Sequence, residues 1–243
     1  MAQIVNILSA KNQNKKYIPL YSVAGHVITK QGKKESFEHI KILNKAIFSY
    51  PDSSQLYVAR GKERMWLTIY SDALDDFEKA GDLGSNNDSL NLLLGKVHLF
   101  LGHRKSALVF LDRYIKVNPD KTAGLFWKAI VYMYHQKSRF HSIKERYLES
   151  IPAFTKVLDI DDSHSASLLL RGFAYFYLQD YEKALLDFKK LKDVKPEDHR
   201  ADLFLGNTYF ELGELEKACT YYSILKDSGE KGLNKMVEKS CLK

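Results

Sequence analysis

The feature that most narrows what this chain can become is a spacing. Between residues 165 and 232 one pattern of apolar, small and aromatic residues is written twice, 34 positions apart. Gly172-Phe-Ala-Tyr175 in the first copy is matched by Gly206-Asn-Thr-Tyr209, and Tyr181-Glu-Lys-Ala184 by Leu215-Glu-Lys-Ala218. A fixed period of this length means a stacked array, each unit being one supersecondary element that cannot bury its apolar face alone. Within a copy the apolar residues recur at helical spacing in two runs broken by a polar turn, so each unit is two antiparallel helices. Glycine inside a helix costs about 1 kcal/mol relative to alanine, so its recurrence at Gly172 and Gly206 asks for a packing reason. Close approach of the second helix near Ala184 and Ala218 supplies one. Phe188 and Tyr222 then fill the space between hairpins, and Pro196 stops the second helix.

Carried towards the N-terminus, the register finds residues that did not suggest it. Pro51 and Pro119 stand 68 apart, twice the period. Between them the small position falls on Gly61 and Gly95, the alanine on Ala73 and Ala107, and the bulky position on Phe77 and Leu111. Units are therefore expected at 20–53, 54–87, 88–121, 122–164, 165–198 and 199–232, the Gly84-Ser-Asn-Asn87 turn standing in for a proline. Unit 20–53 is the most degenerate, with Val27 and His39 at its small positions, as suits a terminal repeat. Segment 122–164 is nine residues too long, and the excess falls between about Tyr134 and Tyr147, at the inter-helix turn, where a stack tolerates it. Residues 1–19 precede the array. The stretch from Glu230, including 233–243, is expected to form a capping helix.

These residues resemble the tetratricopeptide repeat family, whose 34-residue pattern has a small residue at position 8, Tyr at 11, Ala at 20, an aromatic at 24 and Pro near 32. The resemblance implies an all-α, right-handed superhelical solenoid of about six antiparallel helix pairs that binds protein partners and has no chemistry of its own. On that geometry positions 5, 9, 12 and 13 of each unit face a concave groove. The groove residues would include Lys62, Met65, Trp66, Lys96, Phe100, Phe126, Ile130, Met133, Tyr134, Leu169, Phe173, Phe176, Tyr177, Asn207 and Phe210, with Trp127 assigned to the core. So apolar a lining marks a partner site if it is open to solvent. The alternative is that adjacent first helices bury these side chains against one another. The family's clamp of Lys, Asn and Arg for acidic chaperone tails is absent, which leaves an apolar helix or extended segment of a partner protein as the expected occupant.

The net charge of +7 is unevenly placed. Residues 1–53 hold eight Lys against three acids, and 135–146 hold four basic residues against one acid. In the second cluster Arg139, Lys144 and Arg146 are offered as electrostatic contacts, and the basic N-terminal end leaves nucleic acid as an alternative partner. A chaperone shielding an apolar client is the other alternative to a non-enzymatic adaptor. No phosphate loop is present, since Gly102-His-Arg-Lys-Ser106 lacks the glycine spacing. His135 and His141 are six apart, not a metal spacing on one helical face, and Asp159, Asp161 and Asp162 sit where carboxylates cap a helix. No cofactor or metal is indicated. Cys219 and Cys241 lie either side of Gly229 and would come level in an antiparallel hairpin, either as packed thiols or as a disulfide. The sequence has neither an apolar run of signal-peptide length nor one long enough for a membrane helix, so the expected location is the cytoplasm unless the chain is a trimmed form.

Overall fold

The computed structural model describes residues 30–85, 89–134, 142–227 and 241. Among these the regular structure is entirely helical: α1 (Lys30–Ser49), α2 (Ser54–Trp66), α3 (Tyr70–Asp82), α4 (Leu90–Phe100), α5 (Arg104–Val117), α6 (Thr122–Met133), α7 (Ile143–Ile160), α8 (Ser165–Tyr177), α9 (Tyr181–Val194), α10 (His199–Glu211) and α11 (Leu215–Asp227). The chain divides into two compact units, one ending at Arg139 and the other beginning at Phe140. In the first, each helix from α1 to α6 packs on the next, and the alternate helices α2, α4 and α6 also touch in series. In the second, α7 to α11 pack successively and α8 touches α10. That pattern is the stack of helix pairs the period requires.

The repeated glycines are explained by what faces them. A Cβ on Gly61 would stand 2.6 Å from the Phe77 ring, one on Gly95 2.6 Å from Leu111, one on Gly172 2.7 Å from Phe188 and one on Gly206 2.7 Å from the Tyr222 ring. The glycine of the first helix is thus the socket for the bulky residue sixteen positions on, and Phe77, Leu111 and Phe188 are completely buried. Burying one such side chain contributes roughly 1.5–3 kcal/mol, enough to outweigh the helical cost of the glycine.

Two buried ion pairs repeat in the same register. Arg60 donates through Nε and Nη2 to Asp76 and through Nη1 to Asn44 Oδ1 at 2.7 Å. Arg171 donates through Nε and Nη2 to Asp187 at 2.9 and 2.7 Å, and through Nη1 to Thr155 Oγ1 at 3.0 Å. Each arginine therefore ties its own helix to the second helix of its unit and to the helix before it. Arg64 adds a second cation to Asp76 at 2.7 Å.

The inter-helix turns are equally regular. Thr68, Gly102, Gln179 and Gly213, all the fifteenth residue of their units, adopt φ between 64 and 79°. The amides of these turns bond back to the helix, as Gln179 N–H and Asp180 N–H do to the Phe176 and Tyr175 carbonyls. Glycine adopts this conformation without cost, whereas Thr68 and Gln179 hold it under strain.

The first and fourth units depart from the sequence expectation. Helix α1 runs unbroken through 32–35, where the register places a turn. The long segment 122–164 uses its excess to begin α7 at Ile143, a full turn earlier than α3, α5 and α9 begin in their units. Ser142 caps this extra turn in a reciprocal capping box with Glu145. Arg146, expected as a solvent-facing contact, is instead buried, because it shares the inward face of α7 with Tyr147, Ser150, Phe154 and Val157. Lys144 is exposed, and Arg139, His135 and His141 lie outside the described residues.

At the α7–α8 junction the cap is His164 rather than the acidic run. Its Nδ1 accepts from Ser167 N–H at 3.2 Å, while Asp161 Oδ1 accepts from Ser163. Burial pushes the His164 pKa below its ordinary value; the Asp161 carboxylate opposes this and Lys195 adds to it. His98 is lowered too, by burial and by His103, whose Nδ1 is 3.3 Å away. A histidine with a depressed folded-state pKa stabilises the fold fully above its unfolded value of about 6.5, and that contribution is lost as pH falls through the folded value. Stability is expected to decline in urea titrations as pH falls below about 6.5, with a smaller decline in His164→Asn, which keeps a capping acceptor. An unchanged slope in that variant would show that His164 does not set it.

Cys219 and Cys241 are joined in a disulfide with their Cα atoms 5.0 Å apart, so packed thiols give way to the other reading. The rest of the expected capping segment lies outside the described residues.

Candidate functional site

The expected groove residues separate into two groups. Phe126, Ile130, Met133, Leu169 and Phe173 are buried, with Ile130 fully so. Met65, Trp66, Lys96, Phe100, Tyr134, Phe176, Tyr177, Asn207 and Phe210 are half-buried, and Lys62 is exposed. The division follows repeat position except at position 12, where Met133 is buried and Met65, Phe176 and Phe210 are half-buried. Apolar residues at positions 5 and 9 pack between neighbouring helices: the Phe173 ring meets Phe204 of α10 edge-on at 5.5 Å and Tyr147 of α7 at 5.8 Å. Position 13, at the end of the first helix, stays partly open.

In the unit built from α1 to α6 the open positions form an aromatic series. Tyr70 at the start of α3 stacks on Phe100 of α4, with ring centres 4.7 Å apart and planes 8° from parallel. Trp127 of α6 meets Phe100 edge-on at 5.9 Å, and Lys96 Nζ lies 4.7 Å from the centre of the Trp127 ring. Tyr70 and Met65 also pack against the core around Val58, Phe77 and Leu93, which fixes the foot of the series. Burial raises the Tyr70 pKa and lowers that of Lys96. Rigid aromatic faces backed by a packed core lose little entropy when a partner covers them, which is why such residues dominate binding energetics.

Tyr70 and Trp127 were not expected here, and Phe126 and Trp127 exchange the roles the sequence suggested. Helix α6 touches both α5 and α4, so its buried arc takes in Phe126, Ala129, Ile130 and Met133, while Trp127, about a hundred degrees round, reaches the open face. A wider buried arc for a helix with two neighbours was the signal available.

In the unit built from α7 to α11 the open side chains are more polar in their contacts. Asn207 Oδ1 accepts from Tyr222 O–H at 2.8 Å, Tyr181 O–H reaches Glu211 Oε2 at 3.4 Å, and Phe176 lies 5.6 Å from the Tyr181 ring. Tyr177 packs at 4.6 Å on Tyr147. Among the described residues no group of three or more His, Cys, Asp or Glu is placed to hold a metal ion. No described helix is long and apolar enough to cross a membrane.

Helix pairs stacked at a 34-residue period, with socket glycines and a partly open first-helix face, define a helical-repeat fold. Residues 131–164, 165–198 and 203–223 match the tetratricopeptide repeat family model, so this stretch carries tetratricopeptide repeats. No curated protein matches the sequence. Among solved structures, YrrB, described as a TPR protein with an unusual peptide-binding site, is 26% identical, with 69% of this chain and 82% of that one covered at a TM-score of 0.53. TTC0263 from Thermus thermophilus is 20% identical, covering 74% and 93% of the two chains at a TM-score of 0.56. A tetratricopeptide repeat protein from Parabacteroides merdae is 16% identical over 80% and 74% at 0.62. The last two establish the fold alone. Proteins of this class generally mediate protein–protein interaction.

Proposed function

We propose that the chain is a non-enzymatic adaptor that binds a segment of a partner protein on the first-helix face of α2, α4 and α6, with Phe100, Trp127 and Tyr70 as anchors. The observation that carries this reading is the half-open stack of Tyr70, Phe100 and Trp127 on a packed core. The peptide site described for YrrB supports it from a related fold. The occupant is an extended or helical peptide with apolar side chains, because flat aromatic faces in series accept such side chains between and over the rings.

The test is binding of the full chain to an array of random peptides about 12 residues long, followed by solution titration of the bound sequences. Phe100→Ala and Trp127→Ala should each weaken binding by about 30-fold, the scale of one interface hot spot. Unchanged affinity in both variants would place the partner elsewhere.

A further inference from the structure

The half-buried Lys96 is a cation without a counter-ion among the described residues. Its Nζ lies over the Trp127 ring at 4.7 Å, and no hydrogen bond or ion pair joins it to any carboxylate among the described residues. Burial pushes its pKa down, and no acid among the described residues opposes it. Lys128 of α6, also partly buried, shows the ordinary arrangement: Asp112 Oδ1 takes its ammonium at 2.6 Å and, against the effect of burial, raises its pKa. Arg60, Arg171 and Lys192 are matched in the same way, by Asp76, Asp187 and Asp202. Taking an ammonium out of water is costly unless it is paired, and the ring face offsets only part of that cost.

Lys62 stands at the same repeat position on α2, which packs against α4. It is exposed and makes no ion pair among the described residues. The aromatic face is thus bordered by two lysines at one register position, while Glu63, Asp72 and Asp76 of α2 and α3 meet His39, Arg64 and Arg60.

From this we infer that Lys96 is a recognition residue for a side-chain carboxylate, so that the segment bound on this face carries an Asp or Glu next to an aromatic or aliphatic residue. The inference rests on the proposed binding face and adds the chemistry of its occupant. The carboxylate would sit against Lys96 while its apolar neighbour lies on Phe100 and Trp127, so that one dipeptide answers both features of the site. A nucleic acid is the poorer match, since it needs a row of cations along its phosphates rather than one lysine among rings.

The experiment uses the full chain and fluorescein-labelled dodecapeptides built on the array consensus, with a Glu moved through each position and a Gln isostere of every member. One Glu peptide should bind at least about tenfold more tightly than its Gln partner, as a charge-assisted contact in a partly desolvated site does. The advantage should shrink with added salt and vanish in Lys96→Met, which keeps an unbranched apolar stem, with the melting temperature held. Lys96→Arg should retain it. Equal binding of every Glu and Gln pair, still lost in Trp127→Ala, would overturn the carboxylate while leaving the binding face. A Glu advantage that survives Lys96→Met would overturn the assignment to Lys96. If no dodecapeptide binds, or a single-stranded RNA of the same length binds in their place, the face itself is misread and the inference falls with it.

Discussion

Replacing Asp187 by alanine is expected to lower the unfolding free energy by about 3 kcal/mol in urea titration, the low end of the range for removing one partner of a buried ion pair. The carboxylate is almost completely buried, and it accepts two of the hydrogen bonds of Arg171, whose side chain is itself 19% exposed. Its removal leaves a guanidinium with Thr155 as its remaining side-chain hydrogen-bond acceptor and little water. The cost therefore comes mostly from stranding the cation, and the double variant Arg171→Met/Asp187→Leu should recover most of it, because apolar pairs of similar volume replace buried ion pairs at little loss. A double variant as unstable as the single one would mean that Arg171 is needed for its link to Thr155 rather than for charge. Asp76, held by both Arg60 and Arg64, is the counterpart in the other unit.

Phe188→Ala should cost about 3–5 kcal/mol by the same titration, because the ring is fully buried and is shared by two repeats. It rests in the Gly172 socket within its own hairpin and stacks on Phe204 of the next at 5.1 Å. Filling the socket from the other side, Gly172→Ala should cost about 1–3 kcal/mol by overpacking. The two changes should be strongly non-additive, since the alanine methyl enters space that the missing ring has vacated. Additive losses would show that glycine and ring do not meet.

What the sequence showed and what it hid divide along a physical line. The period is legible because each socket glycine must recur with its partner: Gly172 with Phe188, Gly206 with Tyr222. Helix ends and the extra residues before Tyr147 follow from that register. Exposure on the first helices is harder to read, because it depends on how many neighbours a helix has and not on its own periodicity. An amphipathic count places Phe126 and Phe173 on the face that in a thinner stack would be open. Contacts from α4 to α6 and from α8 to α10 bury them. Arg146 misleads for a related reason: on the added turn of α7 a charged residue falls on the inward face. The repeated links from Arg60 to Asp76 and from Arg171 to Asp187 could have been found, since both pairs are sixteen apart at the same repeat positions.

The most direct test of the binding face is a comparison of two adjacent residues, Phe126→Ala and Trp127→Ala, each measured for peptide affinity and for melting. If Trp127 belongs to the open face and Phe126 to the core, Trp127→Ala loses the peptide and melts close to the parent chain, while Phe126→Ala melts well below it. The reverse pattern, with Trp127→Ala unfolding early and Phe126→Ala folded but unable to bind, would contradict the proposed site.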